Sequence, residues 1–432
     1  MTIRIITLGC SKNLVDSEHL LAQFRAAGHR VLHDHAPGNE EAVVINTCGF
    51  ILDAKEESLD TILHYIREKQ EGRLRKVFVM GCLTERYRHE LRTELPEVDG
   101  IFGVWDWPEI LEAFGNRLNE ALLTSRVVTT PAHYAFLKIS EGCNRSCSFC
   151  AIPHIRGEQR SIPIGKLVEE AALLVQGGVK ELILIAQDLT NYGIDQYRKR
   201  ALADLLKQLV AVPGLEWIRL HYAYPTGFPE EVIKLMAAEE KICNYMDIPI
   251  QHINDRLLKA MGRGHTRQKL ETLLHKFRLR VPDIALRTTL MTGFPGETEE
   301  SFRELMDFVA GFRFDRVGVF PYSHEDGTPA FLQLKDEIPE KVKIRRAEEL
   351  MELQQGISLE LNEQKVGKIY KVLIDRKEGE YLVGRTQYDS PEVDNEILLP
   401  DNGSMKTGEF YQVRITSAEA FDLYGKVKEP TL

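Results

Sequence analysis

No stretch of the 432-residue chain approaches the roughly 18 to 20 consecutive apolar residues that a membrane span requires. A membrane protein is therefore not expected. The opening residues, "MTIRIITLGC", also lack the charged-then-apolar layout and small-residue cleavage site of a secretory signal, and they read as a first β-strand. The expected location is the cytoplasm. Positive charge is in short supply too: 55 Lys and Arg stand against 65 Asp and Glu, a net of −10. That balance excludes a protein that coats nucleic acid non-specifically and leaves room only for a local basic groove. There is no internal repeat and no low-complexity segment. Cysteine is sparse and odd in number: Cys10, Cys48, Cys82, Cys143, Cys147, Cys150 and Cys243. Without an export signal, this usage favours metal or catalytic thiols over a disulfide framework.

What is present is a soluble composition, 43% hydrophobic and 28% charged, in a chain long enough for two or three domains. From residue 3 to about 116, short apolar runs ("IRIITL", "AVVIN", "KVFVM", "GIFGV") alternate with longer helical patterns. The expectation is an α/β fold whose N-terminal domain, residues 1–120, is a doubly wound parallel sheet. The segment "TSRVVTTPAHY" interrupts the pattern and reads as a linker. Alternation then resumes with six strand candidates, from "HYAFLKI" to "DRVGVFPYS", which predicts a partial (β/α)6 barrel. A long helix, with Pro339 as its first residue, closes this second domain at residues 129–365. Five short strand-like pieces in 366–432 predict a small OB-like β-barrel.

The segment "EGCNRSCSFC" places Cys143, Cys147 and Cys150 in the loop after the first barrel strand. A tetrahedral zinc site would need a further close pair, and none follows at suitable spacing; His154 stands alone. Three clustered thiolates can hold a 4Fe-4S cube with one iron left open, and an open position is the mark of a reactive metal site. A metal-free cysteine loop or a zinc knuckle is the plainer alternative. In the N-terminal domain, Cys10, Cys48 and Cys82 each follow an apolar run directly. Singly, each is an ordinary buried thiol; together at the carboxyl edge of one parallel sheet, they are expected to meet. Cys243 belongs to neither group and reads as structural.

The Cys-x3-Cys-x2-Cys triad in this strand context resembles the radical S-adenosylmethionine (SAM) family. With "LGCSKNLVDSE", "NTCGF" and "MGCLTERY" in the first domain, nearly the entire chain resembles the radical SAM methylthiotransferases. That resemblance implies two 4Fe-4S clusters, one per triad, and a C-terminal TRAM domain. It also implies two SAM molecules, one donating a methyl group to sulfur at or near the N-terminal cluster and one cleaved to a 5'-deoxyadenosyl radical that removes hydrogen from carbon. Phe149 looks like the aromatic placed near the adenine, while Gln187 and Asp188 stand where the family carries its SAM-amine motif, although the usual Gly-Gly-Glu is missing. Gln251 and Arg287, expected at later strand ends, are further SAM-site candidates or else ordinary buried polar residues. Gly293, in "MTGFPGET", can bring backbone close to a ligand, and the same turn can be capped simply by Thr298.

"GCSKN", where the tRNA-modifying branch more often shows Gly-Cys-Gln-Met-Asn, together with "IAQDLTNYG" and the acidic "YSHEDGTPA", resembles the branch acting on the β-carbon of an aspartate in small-subunit ribosomal protein twelve. That protein, free or within the ribosomal subunit, is the expected partner, along with an electron donor such as a flavodoxin or ferredoxin and a sulfur donor. A tRNA partner is not expected: residues 366–432 carry nine Lys and Arg against twelve Asp and Glu, which suits a basic protein better than a phosphate backbone.

Overall fold

Successive residues of "AVVINT" are buried against opposite sides of a sheet: Val43 and Ile45 pack with Ile62 and Ile66, whereas Val44 packs with Leu20, Leu21 and Phe24. A strand covered on both faces belongs inside a parallel α/β sheet. The computed structural model, which describes residues 1–36 and 38–428, shows that sheet. It comprises β1 (Thr2–Thr7), β2 (Arg30–His33), β3 (Ala42–Thr47), β4 (Lys76–Gly81) and β5 (Gly100–Ile101) in the order β2-β1-β3-β4-β5, all parallel. The four residues of β2, half-exposed at the edge, carry too little alternation to be read from sequence. The chain order reverses between β1 and β3, so a crevice opens above their carboxyl ends.

The second part is an open half-barrel. Its strands β6 (Tyr134–Lys138), β9 (Glu181–Ile185), β10 (Trp217–Leu220), β11 (Ile242–Asp247), β12 (Ala285–Thr292) and β13 (Arg316–Pro321) lie in sequential order, each parallel to the next. A two-stranded ribbon, β7 (Ser140–Glu141) with β8 (Arg160–Ser161), frames the cysteine loop. Leu182, Leu184, Ile218 and Leu220 face the outer helices, whereas Ile183 and Ile185 face inward against Phe136 and Val15 of the first helix, Ser11–Ala26. The period of two thus separates a helix-covered face from a concave one. Thr298 caps the helix Glu299–Phe312 through a reciprocal bond with Ser301. The long helix runs Glu340–Glu363, so Pro339 is its N-cap and not its first turn.

The last part is a closed barrel in the order β14-β15-β16-β18-β17, built from β14 (Ile369–Glu378), β15 (Tyr381–Thr386), β16 (Glu396–Pro400), β17 (Phe410–Ala418) and β18 (Asp422–Val427) around Val372, Ile397, Leu399 and Val413. Its β15–β16 loop closes the amino-terminal end of the half-barrel. Arg219 donates to the carbonyls of Gln387 (2.7 Å) and Thr386 (3.3 Å), the Tyr134 hydroxyl donates to Glu392 (3.1 Å), and Arg287 pairs with Asp394 (3.3 Å). Arg316 holds Asp389, and His133 holds Asp375 at 2.8 Å. Asp389 and Asp394 are thus paired with half-barrel arginines and Asp375 with His133 and the domain's own Arg385, whereas Glu392 is exposed and accepts only from a neutral hydroxyl. Part of the domain's charge, acidic and basic, is therefore spent at this junction, Arg385 being taken by Glu181. The acidic "YSHEDGTPA" segment is engaged internally as well: Glu325 accepts from Lys55 and Arg86, each at 2.9 Å.

His221, at the end of β10, lies 2.8 Å from the Ser390 hydroxyl in this junction. Burial, and then the charges of Arg219, Arg287, Lys12 and Arg385, hold its pKa well below the ordinary 6.5. The folded chain refuses a proton that the unfolded chain accepts, so the contribution is complete above pH 6.5 and lost as pH falls below it. Stability should fall by up to about 1.4 kcal/mol per pH unit more in the wild type than in His221→Gln over that range, measured by urea unfolding at about pH 5.5 and about pH 7.5.

Candidate active site

The three N-terminal cysteines emerge where the strand ends touch. Gly9 has φ +88°, and a Cβ there would lie 2.7 Å from Cys48 Cβ; Gly81 has φ +108°, and a Cβ there would lie 2.6 Å from the Thr47 carbonyl. Only glycine permits both the left-handed backbone and the close approach. Cys10 then sits at the N-cap of the first helix, Cys48 follows β3, and Cys82 opens the short helix Cys82–Arg86. Asn13 ties the loops by donating to the carbonyls of Leu8 (2.8 Å) and Thr47 (3.1 Å). Burial pushes the Cys48 thiol up and the Cys82 thiol to about 12, opposed in each by Arg156, and Cys10 lies close enough to add to both shifts.

The barrel triad is surrounded by donors. Cys143 Sγ accepts from the Arg145 amide (3.4 Å), Cys147 Sγ accepts from Arg263 Nη1 (3.2 Å), and the Tyr224 hydroxyl is 3.8 Å from Cys147 Sγ. The Tyr224 ring carries two guanidiniums, Arg145 at 4.0 Å and Arg263 at 4.3 Å from its centroid. Burial lifts Cys143 to about 11 and Cys150 to about 12. Loading either triad with metal therefore releases protons.

One buried network ties Cys82 of the N-terminal triad to the segments that flank the barrel triad. Arg156, in the short helix after the barrel cysteines, donates to Asp16 (2.9 Å), to Glu141 (2.9 Å), to Cys82 Sγ (3.3 Å) and to Asn13. Lys138 binds the same two carboxylates, at 2.7 Å for Glu141, and Gln187 donates to Glu141. Burial alone would raise the pKa of Glu141; Lys138 and Arg156 outweigh it and hold the group ionised.

The expected SAM-site residues separate into groups. Gln187 is spent on Glu141 in that network. Asp188 binds Arg145 Nε (2.7 Å) and caps Thr190 (2.8 Å), which orients the arginine beside Cys143. Phe149 packs against Leu257, Met261 and Phe294. Gln251 has φ +70°, a strained conformation for a side-chain-bearing residue, and is pinned by backbone bonds to Thr289 and Met291, each 2.8 Å. Arg287 is not at a strand end: β12 continues to Thr292, and Arg287, its third residue, pairs with Asp247 and Asp394 near the C-terminal barrel. Within the chain, the room left by Gly293 is filled by the stem of Lys343, 2.2 Å from where a Cβ would stand. Sequence reasoning missed Arg145, Arg156, Tyr224 and Arg263, of which only Arg145 carried a signal, by lying within the triad. Cys243 is buried in an apolar seam with Trp217, Tyr245 and Leu373.

Among the described residues, no three His, Cys, Asp or Glu side chains converge enough to chelate a single ion. A cuboidal cluster gives each thiolate its own iron, so this spacing is no obstacle to it. A guanidinium donating to a sulfur of each triad is what an anionic sulfur-bound cluster needs. The residues present fit two clusters.

Residues 137–309 match the radical SAM superfamily, 366–427 the TRAM domain, and 2–103 a family described as "Uncharacterized protein family UPF0004". Among solved structures, the radical SAM methyltransferase TsrM from Kitasatospora setae aligns with TM-score 0.56 and 15% identity over 76% of this chain and 73% of that one. The cobalamin-dependent radical enzyme OxsB aligns with TM-score 0.53 and 14% identity over 81% of this chain and 56% of that one. Fold and site thus define a radical SAM enzyme with a TRAM domain. Curated relatives named ribosomal protein uS12 methylthiotransferase RimO are 55% identical in Christiangramia forsetii (98% of this chain, 94% of the relative). Those of Flavobacterium johnsoniae are 56% identical (98% and 97%), and those of Bacteroides fragilis 53% (99% and 99%). The chain belongs to the RimO family of radical SAM methylthiotransferases.

Arg156→Ala would leave Asp16 and Glu141 buried with Lys138 as their only cation. The apo chain should lose about 3–5 kcal/mol, with Arg156→Lys in between, by chemical denaturation.

Proposed function

We propose that this chain installs a methylthio group on the β-carbon of an aspartyl residue of ribosomal protein uS12, consuming one SAM as methyl donor and another as the source of the 5'-deoxyadenosyl radical. The observation that carries the reading is the pair of three-cysteine sites at facing sheet edges, with one buried network tying Cys82 to the segments that flank the barrel triad, in a chain at least half identical to the RimO relatives over nearly its full length. When bound, the clusters would supply an electron at an iron open to SAM and a place to hold sulfur. Cys143, Cys147 and Cys150 would hold one, and Cys10, Cys48 and Cys82 the other.

The rest of the chemistry falls to this chain's own side chains. The guanidiniums of Arg263 and Arg156 donate to Cys147 and Cys82 and offset sulfur charge, and the Arg145 backbone amide donates to Cys143. Asp188 and Gln187 act through Arg145 and Glu141 respectively, as positioning residues. An unactivated C–H has no acidic proton for a general base, so the site must guide a radical and keep water out. Val15, Phe136, Ile183 and Ile185 form a dry wall where the first helix meets the concave face, and the C-terminal loop seals the far end. No helix among the described residues is long and apolar enough to cross a membrane. We place the enzyme in the cytoplasm, served by a low-potential electron carrier and a sulfur donor.

The test is anaerobic turnover of reconstituted enzyme with SAM, reductant and sulfide, offering uS12 and bulk tRNA together and reading both by mass spectrometry. A methylthio gain on an aspartate of uS12 is expected. Cys143→Ala should abolish SAM cleavage, whereas Cys10→Ala should still cleave SAM and transfer no sulfur. Modification of a tRNA adenosine instead would overturn the substrate assignment.

A further inference from the structure

Lys12, two residues after Cys10 in the first helix, is 9% exposed, yet among the described residues its ammonium has no carboxylate partner. Its Nζ stands 3.7 Å from the centroid of the Tyr222 ring. The neighbouring buried cations are all matched: Lys138 and Arg156 by Asp16 and Glu141, Arg219 by Glu181, Arg287 by Asp247 and Asp394. The stem of Lys12 is buried while its Nζ keeps access to solvent beside the ring face. Tyr222, which presents the ring, is held at φ +64°, a strained conformation for a residue with a side chain.

The surroundings indicate what the ammonium waits for. It faces the concave side of the half-barrel, where His221 and Asp247 feel its charge and where the nearest acids are already taken by arginines. On the same face, near the open edge, Phe320 is 53% exposed and its ring covers Gly318, beside Arg287. A concave face with a closed amino-terminal end, an exposed aromatic and, among the described residues, one ammonium without a carboxylate partner suits a side chain that brings its own negative charge.

Resting on the uS12 reading above, we propose that Lys12 is a specificity determinant that binds the carboxylate of the target aspartyl side chain and so presents its β-carbon to the two cysteine sites. Tyr222 positions the ammonium. Adenosine carries no such anion, and a cation here selects an acidic peptide side chain over a nucleobase.

The test is a binding cycle with reconstituted holoenzyme and SAM, without reductant so that nothing turns over. Wild type, Lys12→Met, Lys12→Gln and Lys12→Arg are each titrated with uS12 and with uS12 whose target aspartate is Asn, and SAM affinity and iron content are measured separately. Lys12→Met and Lys12→Gln should weaken uS12 binding roughly 30-fold or more, the cost of unpairing a buried charge, and Lys12→Arg should recover most of it. The Asp-to-Asn change should cost the wild type as much but cost Lys12→Met little, because the two changes remove the same contact. Additive costs overturn the proposal. So does a loss confined to SAM affinity, which would assign the ammonium to the SAM carboxylate. A wild type that modifies tRNA and not uS12 overturns the underlying functional reading as well, and this outcome is seen in turnover and not in the binding cycle.

Discussion

Two parallel sheets, each with a reactive edge, must be held face to face, and the contact that holds them is a set of charges taken out of water. Arg156 and Lys138 on the barrel side clasp Asp16 of the first helix and Glu141 beside the ribbon, and Arg156 spends its remaining donor on a thiol of the other triad. Buried charges are expensive and short-ranged, so the arrangement tolerates no sliding of one domain over the other. An apolar seam of equal area would bind the domains without setting the position of one sulfur site relative to the other.

The same principle recurs at the opposite end of the half-barrel. The C-terminal domain turns Asp375, Asp389 and Asp394 inward against His133, Arg316 and Arg287. It forms the floor of the cavity as well as offering a surface of its own. Lys55 and Arg86 grip Glu325 in a third junction, so the loop after β13 is fixed from the N-terminal side. Among these matched pairs, the lone ammonium of Lys12 stands out.

Much of the architecture was legible because it rests on local rules. The continuous apolar run in "ELILI", buried on both faces, the helical spacing in "LADLLKQLV" and the turn residues between the last strands are each properties of one short segment. The two-strand-end cysteines that flank the crevice, Cys10 and Cys48, follow from the parallel sheet alone once β1 and β3 are recognised. The four-residue β2 escaped because an edge strand half in water shows no pattern, and Pro339 moved by one position because a helix cap and a first turn share the same backbone angles on one side.

By itself, then, the sequence determined the order of three folding units, the positions of six clustered thiols and hence the class of chemistry, because strand period and cysteine spacing are properties of short segments. Tertiary structure alone decided which charges meet. Arg156 and Asp16 are 140 residues apart, and nothing near either one announces the other. The overall charge of residues 366–432 pointed to an acidic surface, whereas the fold turns three of those acids inward. Arg287, expected at a strand end, lies deep in its strand between two aspartates, and Lys12, an ordinary helix residue in sequence, becomes a buried stem whose ammonium has no carboxylate partner among the described residues. Electrostatic partnership depends on distance in space at a few ångströms, and that distance exists only after the domains have docked.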